Sequence, residues 1–127
     1  MDTTQKKKVL VVDDDANLRD VLIDALTVSG FEAKGAANGE DGLKEAFASH
    51  PDVIMLDVMM PKMDGWQVLD TLRADEWGKQ AKVIMLTSQG QMTNIAHALD
   101  KKVFTYIVKS ELNLGNIAEK VNGLLRS

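Results

Sequence analysis

Three consecutive aspartates, Asp13, Asp14 and Asp15, follow the apolar run Val9-Leu10-Val11-Val12, and a fourth, Asp57, follows a second such run. Thr87 and Ser88 stand directly after a third run, and Lys109 after a fourth. Carboxylates gathered in one place repel one another, at about 4 kcal/mol per pair for ~4 Å and an effective dielectric near 20. A cation is the natural remedy. A ligand set made only of oxygen suits Mg2+, or Mn2+ in its place, rather than zinc. A carboxylate beside such an ion, an ammonium and a hydroxyl is equipped to accept a phosphoryl group covalently. The metal and Lys109 would neutralise the transferring oxygens while Thr87 donates a hydrogen bond. Taken singly, these residues have plainer uses, since acids favour helix starts and a lone Thr or Lys after a strand is usually structural.

The elements that must bring them together are legible as short apolar runs alternating with helical stripes. Val9-Leu10-Val11-Val12, Val53-Ile54-Met55-Leu56, Val83-Ile84-Met85-Leu86 and Val103-Phe104-Thr105-Tyr106-Ile107-Val108 are continuous rather than alternating, as in strands buried on both faces of a parallel sheet. Phe31-Glu32-Ala33-Lys34-Gly35 alternates, which predicts an edge strand. Five stripes lie between and after the runs. Leu18, Val21, Leu22, Ala25 and Leu26 form the first, with Asn17 as the expected cap and Gly30 as the stop. Leu43, Ala46 and Phe47 form the second, ended by Pro51, and Val68, Leu69 and Leu72 the third, opened by Asp64-Gly65. Met92, Ile95, Ala96 and Leu99 make the fourth, and Leu114, Ile117, Ala118, Val121, Leu124 and Leu125 the last. Five strand-helix units call for an open parallel α/β sheet with helices on both faces. In such a sheet, functional groups collect beyond the carboxyl ends of the strands, where strand order reverses. Asp13, Asp14, Asp57, Thr87 and Lys109 all fall on that rim.

Composition sets the frame. The 127 residues amount to one domain, expected to span 1–127 with its core at about 8–126. With 45% apolar and 27% charged residues the chain has a globular composition, and no apolar run approaches a membrane span. The absence of cysteine excludes disulfide scaffolds, thiolate metal sites and cysteine nucleophiles. Its net charge of -4 argues against bulk attraction to nucleic acid. A polar N-terminus without an apolar signal core argues against export, so a cytoplasmic protein without membrane contact is expected. His50 and His97 have no metal-ligand companion and are expected at the surface.

The residues in this order resemble the receiver domain of two-component response regulators, over essentially the whole chain. The most specific stretch is Asp57-Val58-Met59-Met60-Pro61-Lys62-Met63-Asp64-Gly65, which looks like that family's phosphoacceptor loop; the acidic pair after the first strand, Thr87, Tyr106 and Lys109 join it. The resemblance implies a flavodoxin-like three-layer sandwich with strand order 2-1-3-4-5. It implies Asp57 as phosphoacceptor, taking its phosphoryl group from a phosphohistidine of a sensor histidine kinase or phosphotransfer protein. It also implies a Mg2+ site that includes Asp57, in which Asp14 binds directly, Asp13 acts mainly through a metal-bound water, and the Met59 carbonyl is a further ligand. Lys109 would contact the phosphoryl group and Thr87 would move toward it, with Tyr106 swinging inward. The face formed by the fourth helix, fifth strand and fifth helix would then change and engage a downstream protein, as a monomer or a phosphorylation-dependent dimer. The domain would be no enzyme in the ordinary sense, promoting only its own phosphorylation and dephosphorylation.

Two positions depart from the family pattern. Ser110 follows Lys109 where the family usually has a proline after a cis bond. A cis bond before a non-proline residue costs roughly 2.5–4 kcal/mol, so either that bond stays cis under strain or the loop relaxes to trans and Lys109 approaches differently. Ser88 replaces a common alanine. Met59 and Gln89, two residues beyond Asp57 and Thr87, border the site; an apolar Met59 cannot orient water, so the phosphorylated state is expected not to be especially short-lived. Two rivals remain open at this point. Asp13-x-Asp15 imitates the nucleophile motif of haloacid dehalogenase-type phosphohydrolases, although Asn17 stands where that family has Thr or Val. A receiver-like module that binds partners without phosphate is the other, favoured only by Ser110.

Overall fold

The computed structural model describes residues 6–88 and 105–126. Five parallel strands, β1 (Lys8–Val12), β2 (Glu32–Ala36), β3 (Val53–Asp57), β4 (Lys82–Thr87) and β5 (Thr105–Val108), form one sheet in the order β2-β1-β3-β4-β5. The described helices are α1 (Ala16–Val28), α2 (Gly39–Ser49), α3 (Gly65–Arg73) and a C-terminal helix (Ile117–Leu125). The expected fourth stripe, Gln89, His97, Val103 and Phe104 lie outside the described residues.

Strand alternation explains the three layers. Leu10, Val12, Ile54, Leu56, Val83 and Met85 pack with Leu43, Ala46, Val68, Leu69 and Leu72 of α2 and α3. Their neighbours Val9, Val11, Val53, Met55, Ile84 and Leu86 pack on the other face with Leu22 and Leu26 of α1 and Ile117 and Val121 of the C-terminal helix. Each central strand is therefore apolar on both sides, which is why its sequence runs unbroken. The fold is the expected flavodoxin-like sandwich, with strand order reversing between β1 and β3.

Several local expectations shift. The N-cap of α1 is Asp15, not Asn17: its carboxylate accepts from the Asn17 and Leu18 amides, a geometry open to the residue immediately before the first helical turn. Val21 is 41% exposed, because the helix turns Leu22, Leu26 and part of Ile23 inward instead. Phe47, 37% exposed, meets the edge of Trp77 rather than the core. Leu114 is also exposed, in a 3-10 turn (Leu114–Asn116) ahead of the last helix. His50 lies at the surface as expected, with its ring stacked on Trp77 at 4.3 Å.

Candidate functional site

Each side chain of the rim is delivered by a strand end. Asp13 follows β1 and its amide extends the β1–β2 ladder to the Ala36 carbonyl at 3.1 Å. Asp57 is the last residue of β3, and Thr87 the last of β4. Lys109 opens a 3-10 turn (Lys109–Glu111) directly after β5. Asp13, Asp57 and Thr87 are the three buried polar or charged residues among the described ones.

Next to Asp57 the chain turns into α3 through a capping box, with Asp64 and Gln67 each accepting from the other's amide. Gly65 is required there: a Cβ would collide with the Asp57 carbonyl oxygen. The loop between is tight as well, since the Met63 amide donates to the Pro61 carbonyl at 2.8 Å and Lys62 takes φ +71°.

Lys109 Nζ lies 3.1 Å from Asp57 Oδ1 and 3.1 Å from Asp13 Oδ2. Its bond to Ser110 is trans, like every peptide bond among the described residues, so the alternative left open by Ser110 is settled and the ammonium still reaches both carboxylates. Asp13 Oδ1 accepts from the Asp15 amide at 2.9 Å. Asp14 is exposed at the mouth of the site. The Met59 amide points at Asp57 Oδ1 from 3.4 Å while its side chain is 61% exposed.

Electrostatics set the charge state. Burial, then the neighbouring Asp13, holds the Asp57 carboxyl up at about 7; Lys109 pulls the other way, and Asp14 adds to the rise. For Lys109, burial opposes the charged form, but the contacts with Asp57 and Asp13 outweigh it and hold the ammonium above its usual value.

A divalent cation fits this donor set. Asp13, Asp14 and Asp57 can offer oxygens within 4.8 Å of one another, and with all three acids ionised the one ammonium would leave two negative charges for a cation to balance. Asp57 Oδ2 is buried with no hydrogen-bond partner among the described residues. Hard oxygen donors of this kind match Mg2+ or Mn2+.

The remaining expected residues are placed less directly. The Thr87 hydroxyl donates to the Ser88 carbonyl at 2.6 Å, so it is engaged with its own chain rather than with Asp57. Tyr106, half-buried on β5, packs against the α2/α3 side of the core, and its hydroxyl has no partner among the described residues. Burial raises the tyrosine above its ordinary value. Asp15, exposed beside the site, accepts the two α1 cap bonds through Oδ1. One participant has no sequence signal: Arg19 Nη1 donates to the Asp13 carbonyl at 2.8 Å.

A parallel sheet that buries an aspartate against a lysine at its switch point, with two more acids beside it, is the architecture of a receiver domain. The family described as "Response regulator receiver domain" matches residues 9–122, and the chain belongs to it. It is 40% identical over 105 residues to "Probable transcriptional regulator ycf27" of Pyropia yezoensis, covering 83% of this chain and 42% of that one. It is 34% identical over 119 residues to "DNA-binding dual master transcriptional regulator RpaA" of Synechocystis, covering 94% and 49%. The chain thus spans about half the length of the curated relatives it matches. Among solved structures, the chemotaxis protein CheY4 of Vibrio cholerae superposes with a TM-score of 0.87 at 27% identity, over 94% of this chain and 99% of that one. A CheY-like receiver domain protein from Methanospirillum hungatei gives the same score at 26% identity, over 96% and 95%. Among the described residues, no helix is long and apolar enough to cross a membrane.

Proposed function

We propose that this chain is a phosphorylation-driven signalling switch whose phosphoacceptor is Asp57. The observation that carries the reading is the buried Asp57 carboxylate, 3.1 Å from Lys109 and grouped with Asp13 and Asp14. The donor is a phosphohistidine on a sensor histidine kinase or phosphotransfer protein. The phosphorus–nitrogen bond breaks as one Asp57 oxygen forms a phosphorus–oxygen bond, and the departing imidazole keeps the electron pair and takes up a proton.

Asp14, Asp57, the Met59 carbonyl and, through water, Asp13 would hold Mg2+. When bound, that ion neutralises charge on the phosphoryl oxygens and on the acceptor carboxylate. Lys109 stays paired with Asp13 and exchanges its contact with Asp57 Oδ1 for one with a phosphoryl oxygen. Thr87 gives up its bond to the Ser88 carbonyl and donates to the phosphoryl group instead. Tyr106 follows inward, changing the face made by the expected fourth helix, β5 and the C-terminal helix. That face engages a downstream protein, with or without dimerisation, and the acidic domain itself makes no direct contact with nucleic acid. The names of its relatives as transcriptional regulators favour an output that acts on DNA through another domain or partner. The chain turns over no substrate besides its own phosphoryl group, and a cytoplasmic location accords with a kinase partner there.

The test is transfer from a phosphorylated histidine phosphotransfer protein. Label should move to the chain in Mg2+, and not in chelator or with Asp57→Asn; label on the Asp57→Asn chain would overturn the assignment.

A further inference from the structure

Arg19 lies on α1 outside the acceptor set, yet its guanidinium reaches back six residues to the start of the acidic loop. Nη1 donates to the Asp13 carbonyl at 2.8 Å, while the Asp13 amide donates to the Ala36 carbonyl of β2 at 3.1 Å. Asp13 is thereby held through both its backbone groups, and its carboxylate is held by the Asp15 amide and by Lys109. The path of Arg19 explains a second residue. Gly35 of β2 lies under the arginine stem, and a Cβ there would sit 2.9 Å from Arg19 Cδ and 2.8 Å from Ile23 Cδ1. Both contacts are with movable side-chain atoms, so an alanine displaces the stem rather than the backbone.

We infer that Arg19, routed over Gly35, is a positioning residue for the divalent-cation site: it fixes the Asp13–Asp14 backbone so that both acids face Asp57. This rests on the metal-dependent reading of the site given above. Outer hydrogen bonds that orient metal ligands commonly contribute a factor of 10–100 in affinity. The alternative role for a cation at this place is purely electrostatic, and it has the opposite sign, because a guanidinium near three carboxylates repels an incoming dication.

The experiment is a Mg2+ titration of the full chain followed by amide NMR shifts around Asp57, for wild type, Arg19→Met, Arg19→Lys and Gly35→Ala. Amide dispersion in the absence of metal reports whether each variant is folded. The expected result is about tenfold weaker Mg2+ binding in Arg19→Met. Gly35→Ala, which keeps the arginine and its charge, should weaken binding in the same direction. Arg19→Lys should fail to restore affinity, because charge without the guanidinium fork does not hold the carbonyl. Unchanged or tighter Mg2+ binding in folded Arg19→Met, with wild type binding normally, would overturn the inference alone. Failure of wild type to bind Mg2+ would remove the metal-dependent reading and this inference with it.

Discussion

Lys109 reaches Asp57 Oδ1 at 3.1 Å across a trans bond to Ser110, and the same ammonium lies 3.1 Å from Asp13 Oδ2. One cation therefore bridges the acceptor and an acid of the metal set. Replacing it should separate two effects. Lys109→Met is expected to slow phosphorylation by small-molecule donors about a hundredfold, the order lost with one charge-stabilising donor. Mg2+ should bind at least as tightly, since a competing positive charge is gone. Rates with acetyl phosphate and a parallel Mg2+ titration check both halves.

The raised Asp57 carboxyl makes metal-free stability depend on pH. Its folded value of about 7 lies above the ordinary 3.8, so the folded state holds the proton more tightly than the unfolded chain. That contribution is complete below the ordinary value and is lost as pH rises from about 4 to about 7, on the order of 4 kcal/mol at most. Asp57→Asn should accordingly raise Tm clearly at pH 8 in chelator and much less at pH 4, as thermal melts will show. Mg2+ should stabilise the wild type more at pH 8 than at pH 6, because protons compete for the same oxygens.

Met59 stands at the mouth of the site with most of its side chain in solvent. It has no polar atom able to align water for attack on the phosphoryl group. Met59→Asn should shorten the lifetime of phosphorylated protein several-fold, read as decay after the donor is removed. An unchanged decay would show that the side chain does not govern hydrolysis here.

The Pro61-Lys62-Met63 turn places a lysine at φ +71°, where L side chains are strained by about 1–3 kcal/mol. Lys62→Gly relieves that strain at some entropic cost in the unfolded chain, for a net gain of about 1 kcal/mol. Denaturant melts at constant m-value measure it.

How much of this was legible in the residues follows from physical range. The strands were, because burial on two faces forces unbroken apolar runs at β1, β3 and β4. The set Asp13, Asp14, Asp57, Thr87 and Lys109 was, because each ends a strand or lies within two residues of its end. Finer choices were not. Three adjacent aspartates carry no mark of which one caps α1, and Asp15 does so because it alone stands beside the first helical amides. The inward turn of Ile23 in place of Val21 depends on where β2 lies. Arg19 is invisible for the same reason: its role exists only once Gly35 and the Asp13 carbonyl are brought beneath it. The bond from Thr87 to the Ser88 carbonyl likewise depends on the local backbone path after β4, which residue types do not encode.

Intact mass after incubation with acetyl phosphate and Mg2+ decides whether Asp57 is a metal-dependent phosphoacceptor. One added phosphoryl group is expected on the wild type, and none with Asp57→Asn or with chelator. A folded wild type that stays unmodified, or an Asp57→Asn chain that gains the same mass, would contradict it.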